Sequence, residues 1–289
     1  MNEFVITTDN NADLPKAYYE EHQVGVISLT YTLEGRTYDM ESALPDAEFY
    51  SRMRSGSMPT TAAVNPEDAR AVFLPFLKEG KNVLHIAFSS GLSGSFNSAR
   101  IAAEELNEEF PDNRVVVVDS LCASLGQGLL VHKAVGLRDA GMSMDEIALW
   151  LEEHKANLCH MFTVDDLNHL YRGGRVSKMT AVFGTMANIK PVLHVDDEGH
   201  LINIDKVRGR KKSLAELVRK MEEKIGSYRD KNDVFFISHG DCIEDAQYVE
   251  RLVKEKFGIE SCLINYVGAT IGAHSGPGTV ALFFLGDVR

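Results

Sequence analysis

Short apolar runs alternate with stretches of helical periodicity along the first half of this chain. Phe4–Thr8 is a brief apolar run, and Asp9–Pro15 supplies the polar caps and early proline that open a helix. Val24–Leu33 alternates apolar with polar positions, and Glu34-Gly35 turns it back into Arg36–Met40, which predicts a hairpin. Pro45–Met53 reads as a short helix that Ser55–Pro59 breaks. Thr60–Pro66 reads as a loop leading into a helix over 67–78. Val83–Phe88 is apolar, Ser89–Ser95 is a turn of small residues, and apolar positions return at Phe96, Ala99, Ile101, Ala102 and Leu106 with helical spacing. Arg114–Asp119 is a continuous β-branched strand of the kind covered on both faces of a parallel sheet. A long helix to about Ala140 follows, with Gly141 as its stop, and then an amphipathic helix over Met144–Lys155. Strands alternating with helices predict a mostly parallel sheet with right-handed crossovers.

The texture changes after Asn157. His160–Val164 reads as a strand, Asp165–Tyr171 as a short helix, and Met179–Ala187 as a small apolar helix. Pro191–Val195 and His200–Val207 flank Asp196–Gly199 as a hairpin. A helix over Ser213–Tyr228, a strand over Asp233–His239, a helix over Ile243–Phe257 and a strand over Ser261–Tyr266 follow. Gly272–Thr279 is a glycine-rich loop before the last strand, Val280–Leu285. Strand pairs mixed with helices predict an α+β unit. The fold class expected is therefore α/β in two domains, with residues 1–157 Rossmann-like and residues 158–289 α+β.

Composition narrows the function. The 289 residues are 44% hydrophobic and 25% charged, and 30 basic residues stand against 42 acidic ones for a net charge of −12. That balance argues against a nucleic-acid partner. No apolar run approaches the roughly 20 residues of a bilayer span, so no stable membrane insertion is expected. MNEFVITTDN has no basic region followed by an apolar core, and a cytoplasmic protein is expected. Cys122, Cys159, Cys242 and Cys262 form no CxxC pair and read as free thiols. Histidines, acids and cysteines show no metal-ligand spacing, and no cofactor is expected.

The stretch VLHIAFSSGLSGSFNSARIA carries the chemistry. It is strand, turn and helix, and it places hydroxyls and free amides where a helix begins, a setting that receives anions. Ser93 with Gly94 could bind a carboxylate through a hydroxyl and a closely approached main chain; equally, serine there could serve only as an N-cap, the role expected of Ser95. The order Gly91-Leu92-Ser93-Gly94-Ser95 is not the GxSxG of a nucleophilic serine. Thr60 and Thr61 are loop hydroxyls, and His274 sits in an irregular glycine-rich setting that often carries function. His239 at a strand end is a weaker candidate. Arg172, Arg175 and Lys178 form one basic group and Arg208, Arg210, Lys211 and Lys212 another. Residues 172–212 hold nine basic and four acidic residues, which reads either as a solvated face or as a docking patch for an acidic partner.

ITTDNNADLP, PTTAAVNP, SSGLSGSFNSA, VVVVDS, LNHLYRGGRVSK, IKPVL, KVRGRKK and HSGPGT occur in that order over nearly the whole chain. In these stretches the chain resembles the DegV family of fatty-acid-binding proteins. In one place it departs from the family, whose loop before the first long helix usually reads Thr-Ser-Gln-Pro. Thr60-Thr61-Ala62-Ala63 keeps the hydroxyls and loses the Gln and Pro, which predicts a head-group pocket of different shape. The resemblance implies a long-chain fatty acid held between two α/β domains, with its carboxylate at Thr61, Ser93, Gly94 and His274. It also implies a separate fatty-acid kinase that docks at Arg172, Arg175, Arg208 and Arg210 and phosphorylates that carboxylate. The chain would then be an acyl carrier in phospholipid metabolism, not itself an enzyme. The alternative is a kinase-like phosphotransferase, against which stand the absence of GxxxxGK[ST] and of clustered carboxylates for Mg²⁺.

Overall fold

A computed structural model describes residues 3–177 and 188–289. The expected helix at 179–187 and Lys178 lie outside the described residues. In the first half, β1 (Phe4–Asp9), α1 (Lys16–Glu21), β2 (Gly25–Ile27), β3 (Thr30–Leu33) and β4 (Arg36–Tyr38) lead to α2 (Asp46–Arg54) and β5 (Thr60–Ala62). α3 (Pro66–Lys78), β6 (Asn82–Ala87), α4 (Ser95–Glu109), β7 (Val115–Asp119), α5 (Leu125–Asp139) and α6 (Met144–His154) complete it. The second half runs β8 (Leu158–Thr163), α7 (Asn168–Arg172), β9 (Ile189–Val195), β10 (Leu201–Arg208), α8 (Arg210–Lys224), β11 (Val234–His239), α9 (Ile243–Phe257), β12 (Ser261–Tyr266), α10 (Ala269–Ser275) and β13 (Val280–Leu285).

The described residues form three sheets. The first is wholly parallel in the order β2-β1-β6-β7. The second is mixed, in the order β10-β9-β8-β13-β11-β12, with only β11 and β12 parallel. Both match the α/β architecture read from the sequence. The third, a small antiparallel sheet β4-β3-β5, goes beyond the hairpin that the pattern predicts.

Two corrections explain it. Val24–Leu33 is not one strand but two, because the Asn10 side chain takes both backbone groups of Leu29. Its amide donates to the Leu29 carbonyl at 3.1 Å and its oxygen accepts the Leu29 N–H at 2.9 Å. The ladder therefore ends at Ile27, and the chain resumes in a different sheet at Thr30. The Thr60–Pro66 segment is likewise not all loop. Thr60–Ala62 pairs with β3, and Thr61 lies opposite Tyr31. Val64, next along, is fixed by Ser95, whose Oγ accepts its N–H at 3.1 Å.

The layers follow from which faces are apolar. α3 and α4 cover one face of the parallel sheet through Phe73, Leu77, Ala99, Ala102 and Leu106. α5 covers the other face and at the same time packs on the mixed sheet. Its Leu125, Leu129 and Leu130 share one core with Ile6, Leu84 and Ile86 on one side and Phe162, Phe236 and Phe283 on the other. α8 and α9 cover the outer face of the mixed sheet. Burying each such side chain contributes about 1.5–3 kcal/mol. A helix buried this completely must come close to both neighbours. A Cβ at 126 would stand 2.2 Å from His160 Nε2 and one at 128 2.6 Å from the Ala12 carbonyl, so α5 carries glycine at both places.

Candidate functional site

A cavity of about 430 Å³ opens where the carboxyl ends of the parallel strands face the mixed sheet. Open α/β sheets place ligands at such strand ends, and the volume falls within the roughly 300–1,000 Å³ of ordinary ligand sites. Phe162, Val195, Leu201, Ala281 and Phe283 of the mixed sheet line it, as do Leu29, Phe88, Leu92 and Ile271 from the segments around it.

Polar groups gather on part of its wall. Thr61 Oγ1 and His274 Nε2 lie 2.8 Å apart, joining residues 213 positions apart in sequence. The β3–β5 ladder holds Thr61. His274 belongs to the last turn of α10, not to a loop; the irregular part is the turn after it, with Gly276 and Gly278 both at positive φ. Burial, then the nearby Arg175 charge, bring the His274 pKa down to about 4, so the ring is neutral at neutral pH. If Nε2 carries its proton and donates to Thr61, the threonine hydroxyl keeps its own proton for a ligand.

Ser93 also lines the cavity, on the turn between β6 and α4. Its Oγ accepts the Ser95 N–H at 3.2 Å and lies 2.9 Å from Ser95 Oγ. Ser95 is not the cap it was expected to be. Gly94 occupies the cap position without a side-chain hydrogen bond, and Ser95 spends its oxygen on Val64. When Ser95 donates to Ser93, the Ser93 O–H remains free. Gly94 is exposed and is not among the lining residues. Nothing lies within 4 Å of where its Cβ would stand, so its main chain is approachable.

The four arginines differ in exposure and in partners. Arg175 is half-buried in the cavity wall: its guanidinium donates to the Gly173 carbonyl and, at 3.0 Å, to the Leu92 carbonyl next to Ser93. Burial lowers its pKa. Arg172 is exposed at the cavity, with Nη2 2.7 Å from His169 Nδ1. Arg208 ends β10 and is exposed. Arg210 begins α8, so the second basic group is a strand-to-helix junction rather than a loop. Arg210 is partly buried and ion-paired to Asp245 at 2.8 Å and Asp165 at 3.6 Å. His239 is buried, accepts the Cys242 N–H at 3.2 Å and lies outside the cavity.

Sequence reasoning did not single out Arg175 as a cavity residue, nor Asn11, Ser124, His160 and Thr270 as parts of its wall. Their signal is three-dimensional. Ser124 Oγ donates to Asp13 Oδ2 at 2.5 Å, and Thr270 Oγ1 donates to Asn11 Oδ1 at 2.5 Å; both bonds join distant segments. Burial raises the Asp13 pKa well above the carboxylate range. The four cysteines are free, with Cys122 and Cys159 buried. Among the described residues no group of acids, histidines and cysteines could hold a metal, and no helix is long and apolar enough to cross a membrane.

An apolar cavity between a parallel and a mixed sheet, edged by hydroxyls and a neutral histidine, defines an α/β protein built around a ligand-sized cavity. The chain belongs to the DegV family, whose model, described as an uncharacterised protein family, matches residues 3–287. A DegV domain-containing protein of Clostridium perfringens is 44% identical over 291 residues, spanning 100% of this chain and 99% of that one. Solved structures are similar as well, two of them as follows. A DegV family protein from Thermus thermophilus, described as binding fatty acid, has 30% identity and a TM-score of 0.87 over 99% of this chain and 100% of its own. A stearic-acid-binding protein from Eubacterium ventriosum has 25% identity and a TM-score of 0.87 over 98% of each chain.

Proposed function

We propose that this protein binds one long-chain fatty acid, tail in the apolar cavity and carboxylate at Thr61, Ser93 and the approachable main chain of Gly94, with His274 behind Thr61. The observation that carries this reading is the Thr61–His274 pair, which sets a poised hydroxyl on the wall of an otherwise apolar cavity. Two neutral hydroxyls hold a carboxylate through charge-assisted hydrogen bonds without locking it in an ion pair. A carboxylate held that way stays reactive. The protein then acts as a cytoplasmic carrier, not an enzyme, and presents the carboxylate to a separate kinase that docks by Arg172 and Arg208 and makes the acyl phosphate. Residues 1–157 supply the hydroxyls and residues 158–289 the sheet face under the tail, which is the sense in which we divide the chain into two domains.

Mass spectrometry of the organic extract of purified protein tests the reading. A saturated or monounsaturated acid of roughly C14–C18 is expected, since each buried CH₂ adds about 0.8 kcal/mol and such a chain survives purification. Recovery of only short polar anions, under conditions that retain lipid, would sink it.

A further inference from the structure

The two glycines that follow α7 are glycine for different reasons. Gly174 has φ +75, the left-handed region that favours glycine, and nothing lies within 4 Å of where its Cβ would stand. Gly173 has φ −71 and ψ −10, which most residues adopt, so its backbone gives no reason for glycine. Its surroundings do. A Cβ at 173 would stand 2.1 Å from His274 Nδ1, 3.0 Å from its Cγ and 3.1 Å from its Cε1. Ordinary contact between heavy atoms falls at about 3.5–4 Å.

The His274 ring is therefore held on two sides. Its Nδ1 edge rests on Gly173 at the end of α7, and its Nε2 lies 2.8 Å from Thr61 Oγ1 on β5. All three residues line the cavity. The contact between helices is also returned. A Cβ at Gly276, in the turn after α10, would stand 2.4 Å from Cδ2 of His169 on α7. Each of the two helices sets a ring against the glycine that ends the other. A methyl group at 173 would displace the His274 ring, and the bond at its other nitrogen would move with it.

We infer that Gly173 is a positioning residue of the head-group site: it is the seat that holds the His274 ring against Thr61, and through it sets the hydroxyl that takes the carboxylate. The inference rests on the fatty-acid reading above for its ligand and on the packing alone for the seat.

The test is a double-mutant cycle read twice, by urea unfolding and by titration of delipidated protein with stearic acid. Gly173→Ala should bind stearic acid about three- to tenfold more weakly than the parent, the worth of the one hydrogen bond that holds Thr61 poised. In a His274→Ala background the ring is gone, so adding Gly173→Ala should change neither the affinity nor the urea midpoint any further. Gly174→Ala is the control. It strains the same turn without touching the ring, and should lower the urea midpoint while binding like the parent. Parent-like affinity in Gly173→Ala, equal loss in the two glycine variants, or equal loss from Gly173→Ala in both backgrounds overturns the inference. Failure of the parent to bind stearic acid sinks the fatty-acid reading instead, and the urea half of the cycle still decides the seat. If Gly173→Ala does not fold, truncating the ring should restore folding. A Gly173→Ala/His274→Ala variant that also fails to fold then overturns the inference.

Discussion

Two turns follow neighbouring parallel strands at the same edge of one sheet, and they differ in how far their hydroxyls are used up inside the protein. After β6, Ser89 is buried and donates to the Gly199 carbonyl at 2.9 Å, but residues 90–94 are exposed or half-exposed, and Ser93 reaches the cavity with a proton to spare when Ser95 is the donor between them. After β7, residues 120–124 are mostly buried, and both serines there have internal partners. Ser120 Oγ accepts the Cys122 N–H at 3.1 Å, and Ser124 Oγ joins Asp13 and, at 2.7 Å, Ser238. Leu121 and Ser124 take positive φ to reach those partners. A small-residue turn at a strand end is therefore not a binding site by composition. It becomes one when a hydroxyl that opens on the cavity keeps bonding capacity for a ligand.

The largest effect should come from breaking the committed turn. Asp13→Ala removes the acceptor of Ser124, leaves buried polar groups unpaired and puts alanine at φ +51. A loss on the order of 2–4 kcal/mol of stability is expected, read from urea unfolding, because an unsatisfied buried group costs about 1–3 kcal/mol beyond the lost bond. Ser93→Ala should do the reverse. Stability should hardly change, while fatty-acid affinity should fall by about 1.5–3 kcal/mol, the value of a bond to a charged group. A Ser93→Ala variant that melts early and binds normally would reverse the contrast between the two turns.

Acid titration sharpens it further. His274, on the open side, has its pKa brought down from the ordinary 6.5 to about 4. Between those values the unfolded chain binds a proton that the folded chain refuses. The stability His274 contributes is therefore present above pH 6.5 and lost as pH falls through about 4. His85, buried with a pKa of about 3, acts in the same direction. Asp9 is held up to about 6 by burial and acts oppositely, its contribution present below 3.8 and lost as pH rises through about 6. His274→Gln removes only the first of these. The rise of its urea midpoint between about pH 4 and 6.5 should be shallower than the parent's, and an unchanged slope would mean that His274 charges in the fold at no cost.

Most of the fold was legible because its signals are local. The β-branched run Val115–Val118, the glycine stop at Gly141 and the hairpin about Asp196–Gly199 each specify their element unaided. The β2–β3 break was not, because one distant side chain, Asn10, imposes it. The site divides the same way. Thr61, Ser93 and His274 stood out as hydroxyls and a histidine in unusual settings. Ser95 could not be told from a cap, because its true partner, Val64, comes from another segment. His160 sits in an ordinary strand pattern, and only the approach of Gly126 and Ala123 gives it a role.

The smallest effects separate the arginines, which obey the same rule as the turns. Arg175 is committed, bridging the Gly173 and Leu92 carbonyls beside Ser93, whereas Arg208 is exposed and makes no ion pair with the described residues. Arg175→Ala should loosen the Ser93 turn and weaken fatty-acid binding by about 1 kcal/mol, the net worth of a hydrogen bond. Arg208→Ala should leave binding and stability within about 0.5 kcal/mol of the parent. Its consequence should appear only with the kinase, as slower association. The parent's association should itself slow as salt rises, because rim charges act through encounter over a Debye length of about 8–10 Å. Acyl-phosphate formation, followed across carrier and salt concentrations, reads both variants at once. Arg208→Ala should match the parent at saturating carrier and fall behind below saturation at low salt. If Arg208→Ala instead loses fatty acid, or Arg175→Ala keeps it fully and only slows association, the two arginines have exchanged roles.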